Sequence, residues 1–272
     1  MVSMASPRPV EDRTDSKGQP RRLVFAFISP LLLVTFSTLA WPLLLGSLVT
    51  LGSLPTPLPP EGATAKVLVR YYWPGFLLWI VLPVDLFMLL LGRAGRRLDG
   101  EEPLPPGRGG KLPGKRDWLF AAAFAAGHAA FQSMAFAATG TWGEFVEGVA
   151  SAFSGPEAGR NAASLVTFSL AAMLVPVAAC EEYLFRGFVQ RAMATRWGAT
   201  RGVLASAALF ALVHYSFSPT AALAVTYAFA FGALAGLAYE KTGSLWTPVL
   251  CHWAVNTLIT LVAFSSPSWP IY

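Results

Sequence analysis

The chain has 272 residues, of which 54% are hydrophobic and only 13% charged, with a formal net charge of +5. That charged share is about half that of a soluble domain, and the apolar residues run in long blocks, which excludes a soluble globular protein. In such a chain the cationic excess reads as cytoplasmic loops, so no nucleic-acid partner is expected. The two cysteines, Cys180 and Cys251, both lie in apolar blocks, which excludes a disulfide framework and a CxxC metal pair.

The expected fold is all-α, a polytopic transmembrane bundle of seven to eight spans. Residues 1–22 are polar and read as a disordered cytoplasmic tail; the first apolar block is too long for a secretory signal. Residues 23–158 form the N-terminal transmembrane helices and loops. A first span is predicted over 23–52, kinked at Pro30 and Pro42. A second covers 68–91, opening on the interfacial aromatics Tyr71, Tyr72 and Trp73, and a third covers 117–138. Residues 141–153 alternate apolar Trp142, Phe145, Val146, Val149 and Phe153 with two glutamates, the pattern of a helix lying on the membrane surface. Residues 159–272 form the catalytic bundle, with spans over 163–190, 202–217, 219–239 and 244–265.

Lys and Arg set the orientation. Of the 20 cationic residues, 16 fall in the tail, the loop from Arg93 to Arg116, the segment Arg191 to Arg201, and Lys241; Lys66, Arg70 and Arg160 fall on the other side, and Arg186 lies within a span. The chain is therefore expected in the cell membrane with a cytoplasmic N-terminus. Seven spans put the C-terminus outside, and an eighth or re-entrant segment reverses that.

A charge at mid-bilayer costs about 2.5–3.5 kcal/mol, so charged residues inside spans mark function. The fourth span carries Glu181, Glu182 and Arg186. Glu182 and Arg186 are four apart and pair on one helix face. Glu181 points about 100° away and has no local cation. A carboxylate so placed is free to take a proton from water as a general base. The fifth span carries Phe210 and His214, and the seventh carries His252 and Asn256, each pair four apart.

Counted from the cationic end of each helix, Glu181, His214 and His252 all lie about 15–18 Å deep. Unrelated structural histidines need not agree in depth. A carboxylate, two imidazoles and an amide meeting in a dry layer suit water activation and oxyanion binding. Asp85 and His128, in the second and third spans, read as structural residues able to bond across the bundle. Cys180 and Cys251 read as small apolar filler.

Glu181-Glu182-x-x-x-Arg186, Phe210-x-x-x-His214 and His252-x-x-x-Asn256 stand in order on separate apolar helices. Together they resemble the type II CAAX prenyl protease family, also called the CPBP family of CAAX proteases and bacteriocin-processing (Abi) enzymes, over about residues 160–265. The resemblance implies an intramembrane endopeptidase acting on membrane-associated or prenylated-type peptide or protein substrates, reached from the membrane or the cytoplasm. Carried over, Glu181 activates water with His214, His252 and Asn256 stabilise the oxyanion, and Glu182 and Arg186 hold the helix and carboxylate in place. The family is often labelled metalloprotease. Glu181, His214 and His252 offer three ligands for an open zinc site, but there is no HExxH, and a metal-free glutamate mechanism on the same residues is the preferred expectation. Two other classes compete: an ion- or proton-coupled transporter, since buried Glu, Arg and His also line ion pathways, and a non-catalytic membrane scaffold. No inverted repeat supports the transporter.

Overall fold

The computed structural model describes residues 19–50, 65–98, 112–214 and 221–265. The first eighteen residues of the tail, most of the basic loop, and the polar cluster Tyr215, Ser216 and Ser218 lie outside the described residues.

The fold is all-α, with no strand among the described residues. In chain order the helices are α1 over 19–50, α2 over 65–97, α3 at Lys115–Thr139, α4 at Trp142–Ala152, α5 at Ala158–Trp197, α6 at Ala199–Val213, α7 at Ala221–Thr242 and α8 at Trp246–Ser265. Among the described residues, four stretches are long and apolar enough to cross a membrane: Leu77–Arg97 within α2, Lys115–Thr139, Ala158–Trp197 and Trp246–Ser265. The apolar α6 and α7 pack on one another and complete the bundle around α5 and α8.

Helix α5 is 40 residues long and widens at two places. It widens to π-type turns over Ser169–Ala178, tightens to an α-helix over Ala179–Leu184, and widens again over Phe185–Gln190. Pro176 sits in the first wide stretch. It lacks an N–H for the ladder, which is a physical reason for the local widening. Glu181 and Glu182 occupy the short α segment between the two wide stretches.

The largest apolar cluster lies where α5 meets α1, α2, α6, α7 and α8, with Leu184, Phe185, Phe188, Met193, Phe210 and Ala235 nearly or fully buried. Large apolar side chains elsewhere stay exposed, among them Leu31, Leu43, Leu119, Met134 and Leu234. An apolar exterior around a close-packed interior is what a bilayer solvent selects.

The three cations assigned opposite the tail meet at one end of the bundle. Arg70 pairs with Glu157, Arg160 lies 3.5 Å from the same carboxylate, and Lys66 sits over the Phe264 ring. Asn161 ties this end together, accepting from Arg70 and donating to the Ala152 carbonyl at 2.7 Å.

Candidate active site

Glu182 and Arg186 are 0% and 1% exposed, with Arg186 Nε 3.0 Å from Glu182 Oε2 and Nη1 3.1 Å from Oε1. The four-residue spacing makes this two-point contact possible. Arg186 Nη2 donates to the Gly232 carbonyl of α7 at 3.1 Å, and the guanidinium lies over the Phe210 ring at 4.7 Å. One arginine thus joins α5, α6 and α7.

Glu182 has a second partner that the sequence did not suggest. His252 Nδ1 lies 2.8 Å from Glu182 Oε1. A carboxylate only accepts, so Nδ1–H donates, and the neutral ring presents Nε2 as an acceptor. Glu182 therefore orients His252, besides holding its own helix. The 70-residue separation hides this contact from any local pattern.

Glu181 faces the two imidazoles. Its Oε2 lies 3.7 Å from His214 Nε2 and 4.0 Å from His252 Nε2, is buried, and has no hydrogen-bond partner in the protein. Both gaps exceed a direct hydrogen bond. His214 Nδ1 lies 2.9 Å from the Phe210 carbonyl, so Nδ1–H donates there and Nε2 of the neutral ring also accepts. Three acceptors thus converge on one point: a carboxylate oxygen and two imidazole nitrogens. His214 is the most accessible of them, its side chain 37% exposed against 15% for Glu181 and 6% for His252.

Asn256, one turn beyond His252, lines a cavity of about 210 Å³ with Phe210, His214, Tyr227, Phe231 and His252. Every residue of the three sequence elements therefore lies at or beside one site. The helices reach it over unequal lengths. Glu181 is 16 residues from the end of α5 at Trp197 and His214 is 15 residues past the start of α6 at Ala199, about 24 and 22 Å. His252 is only six residues past the start of α8 at Trp246, about 9 Å. The α7–α8 turn therefore lies nearer the site than the α5–α6 turn does, a difference that counting from cationic residues missed.

Asp85 and His128 take different places. His128 does bond across the bundle, its Nδ1 2.5 Å from Tyr227 Oη. Asp85 is buried, and its Oδ2 accepts no hydrogen bond from the protein. Cys180 and Cys251 are buried and free. Sequence reasoning also passed over Gly232 and Gly236. Their carbonyls accept from Arg186 and from Gln190, the latter at 3.2 Å. The visible signal was the small-x-x-x-small spacing that lets membrane helices approach closely.

The zinc alternative requires Glu181, His214 and His252 around one ion. Bonds of about 2.0–2.2 Å place tetrahedral ligand atoms about 3.4 Å apart. The gaps here are 3.7 and 4.0 Å. Among the described residues, no group of His, Cys, Asp or Glu is arranged to hold a metal. As placed, the residues do not fit a zinc site.

Residues 162–258 match the family model described as type II CAAX prenyl endopeptidase, Rce1-like. The matched stretch contains every residue of the site, from Glu181 to Asn256. It bears out the resemblance read from the sequence and supports, in general terms, a CAAX-type endopeptidase of the membrane. No curated protein and no solved structure matches the chain.

Proposed function

We propose that this protein is an intramembrane endopeptidase that uses Glu181 to activate water, with no step of the reaction running through a metal. The observation that carries the reading is the Glu181 carboxylate oxygen, buried, unpartnered, and facing two imidazoles at 3.7 and 4.0 Å. Three acceptors around one point suit a single guest that donates, and water is the natural one. A water donating to Glu181 and His214 is held with its lone pairs free to attack a carbonyl. Glu181 takes the proton as the carbon–oxygen bond forms, then delivers it to the departing amine as the carbon–nitrogen bond breaks.

Asn256 stabilises the oxyanion through its side-chain amide. His252 joins it only when Nε2 also carries a proton; Glu182, 2.8 Å from Nδ1, fixes the ring orientation for that role. The cavity wall is apolar apart from His214, His252, Asn256 and the Tyr227 phenol, which supports apolar peptide or protein segments presented from the membrane or its cytoplasmic surface. We further propose that the end bearing Arg191, Arg196 and Arg201 is cytoplasmic, since 16 of 20 cations fall on that side.

The test is a library of quenched peptides with the purified protein in detergent. Glu181→Gln keeps shape and removes the base. It is expected to fold and to lose about 10²–10⁴-fold in turnover. Turnover near that of wild type would remove Glu181 from the chemistry and the peptidase reading with it.

A further inference from the structure

The chain has three histidines, and the third bears on the same cavity. His128 of α3 is 5% exposed and held at both ring nitrogens. Gln132, one turn on, places its amide Nε2 3.3 Å from His128 Nε2. An amide nitrogen only donates, so Nε2 accepts and the neutral ring carries its proton on Nδ1. Nδ1–H therefore donates to Tyr227 Oη, 2.5 Å away. The chain of donation runs from Gln132 to His128 to Tyr227. The phenol's own proton is not used in that chain and remains available.

Tyr227 stands in the wall between two cavities. One is the catalytic cavity with His214, His252 and Asn256. The other is an apolar cavity of about 580 Å³ beside α3, lined also by Phe124, His128 and Phe131. The two share Tyr227, Phe231 and Val255. On α7, Tyr227 lies one turn from Phe231, whose ring is 4.9 Å from that of His252. On α8, Asn256 lies one turn from His252.

The catalytic cavity is short of donors. His214 gives its Nδ1–H to Phe210 and His252 gives its own to Glu182, so each ring in its neutral form offers Nε2 only as an acceptor. Asn256 is one neutral donor. We propose that Tyr227 is the second, a catalytic residue that donates its hydroxyl hydrogen bond to the developing oxyanion, with His128 and Gln132 as the positioning residues that turn the hydroxyl toward it. This rests on the peptidase reading above. The hydrogen bond forms as charge builds on the carbonyl oxygen and is released when the carbonyl reforms, so no proton changes hands.

The experiment uses the full chain in detergent and a quenched peptide that the wild type cleaves. Tyr227→Phe is expected to lower kcat about 10²-fold, as loss of one oxyanion donor does, with KM within about twofold. His128→Leu removes the group that directs the phenol and is expected to lower kcat as well. His128→Asn offers an amide N–H in place of Nδ1–H and is expected to recover part of that loss, which a merely structural role for His128 does not predict. Unchanged kcat in Tyr227→Phe overturns the assignment, as does a rise in KM alone. If Tyr227→Phe fails to fold, the two His128 variants decide, and equal kcat in both overturns it. Glu181→Gln separates the levels. Full activity there overturns the peptidase reading itself; a dead Glu181→Gln beside a full-rate Tyr227→Phe overturns only the role of Tyr227.

Discussion

Arg186 is the most connected side chain of the site. It neutralises Glu182, caps the Gly232 carbonyl and covers the Phe210 ring. Arg186→Ala leaves a fully buried carboxylate without its cation, and breaking a buried pair costs about 3–5 kcal/mol. Glu181→Gln removes a carboxylate that has no hydrogen-bond partner on Oε2, so its cost in stability is expected to be smaller. Thermal unfolding in detergent checks the order. Equal melting temperatures for Arg186→Ala and wild type would dismiss the pairing, and Glu182→Gln combined with Arg186→Gln is expected to recover part of the loss. The conspicuous residues were legible because charge in an apolar helix is costly and therefore visible. Glu181, Glu182, Arg186, His214 and His252 stood out that way, and Asn256 by its place one turn from His252. The bond between Glu182 and His252 was not legible, because nothing local ties residues 70 apart. Tyr227 was not legible either, since one tyrosine in an apolar helix carries no charge to betray it.

At the level of helices, the site depends on how closely α7 approaches α5. Arg186 and Gln190 are one turn apart on α5, and they donate to carbonyls of Gly232 and Gly236, one turn apart on α7. Gln190 also donates to Glu240 at 2.8 Å, extending the same seam by another turn. A Cβ added at Gly236 would lie 2.6 Å from Gln190 Oε1 and 3.1 Å from Val203 Cγ1. Small residues are what permit such approach between membrane helices. Gly236→Leu is therefore expected to push α7 from α5, lower the melting temperature, and reduce turnover although residue 236 touches no reacting group. Gly127→Leu is the control, since a Cβ there meets nothing within 4 Å. Equal effects of the two would mean that the seam does not set the packing. The helices of the catalytic half were legible from their apolar runs, and α6, α7 and α8 begin and end within about four residues of expectation. The length of α5 was not, because its ends at Ala158 and Trp197 lie in polar sequence that hydropathy alone assigns to loops.

Across the whole molecule the question is how water and peptide reach a site buried among helices. Two polar ends flank it. The end opposite the tail is closed by Arg70, Glu157, Arg160 and Asn161 bonded among themselves. The other end offers the shorter path, because the α7–α8 turn lies only about 9 Å from His252 along α8. That turn is polar: Thr247 donates to Asp117, and its Oγ1 lies 2.9 Å from Thr242 Oγ1. Access is therefore predicted from the cationic side, the side proposed above to be cytoplasmic. Cysteine accessibility tests it in a background with Cys180 and Cys251 replaced by alanine. Thr200→Cys and Ser154→Cys, both at exposed positions near opposite ends of the bundle, calibrate the two faces. Ala228→Cys, at a wall of the catalytic cavity, reports the route. In oriented vesicles an impermeant maleimide is expected to label Thr200→Cys and Ala228→Cys from the same side, Ser154→Cys from the other, and a bound peptide is expected to slow only Ala228→Cys. If Ala228→Cys reacts only from the Ser154 side, the cavity opens outward. If it reacts from neither while a lipid-soluble maleimide labels it, the route runs through the bilayer, and a cytoplasmic entrance is ruled out.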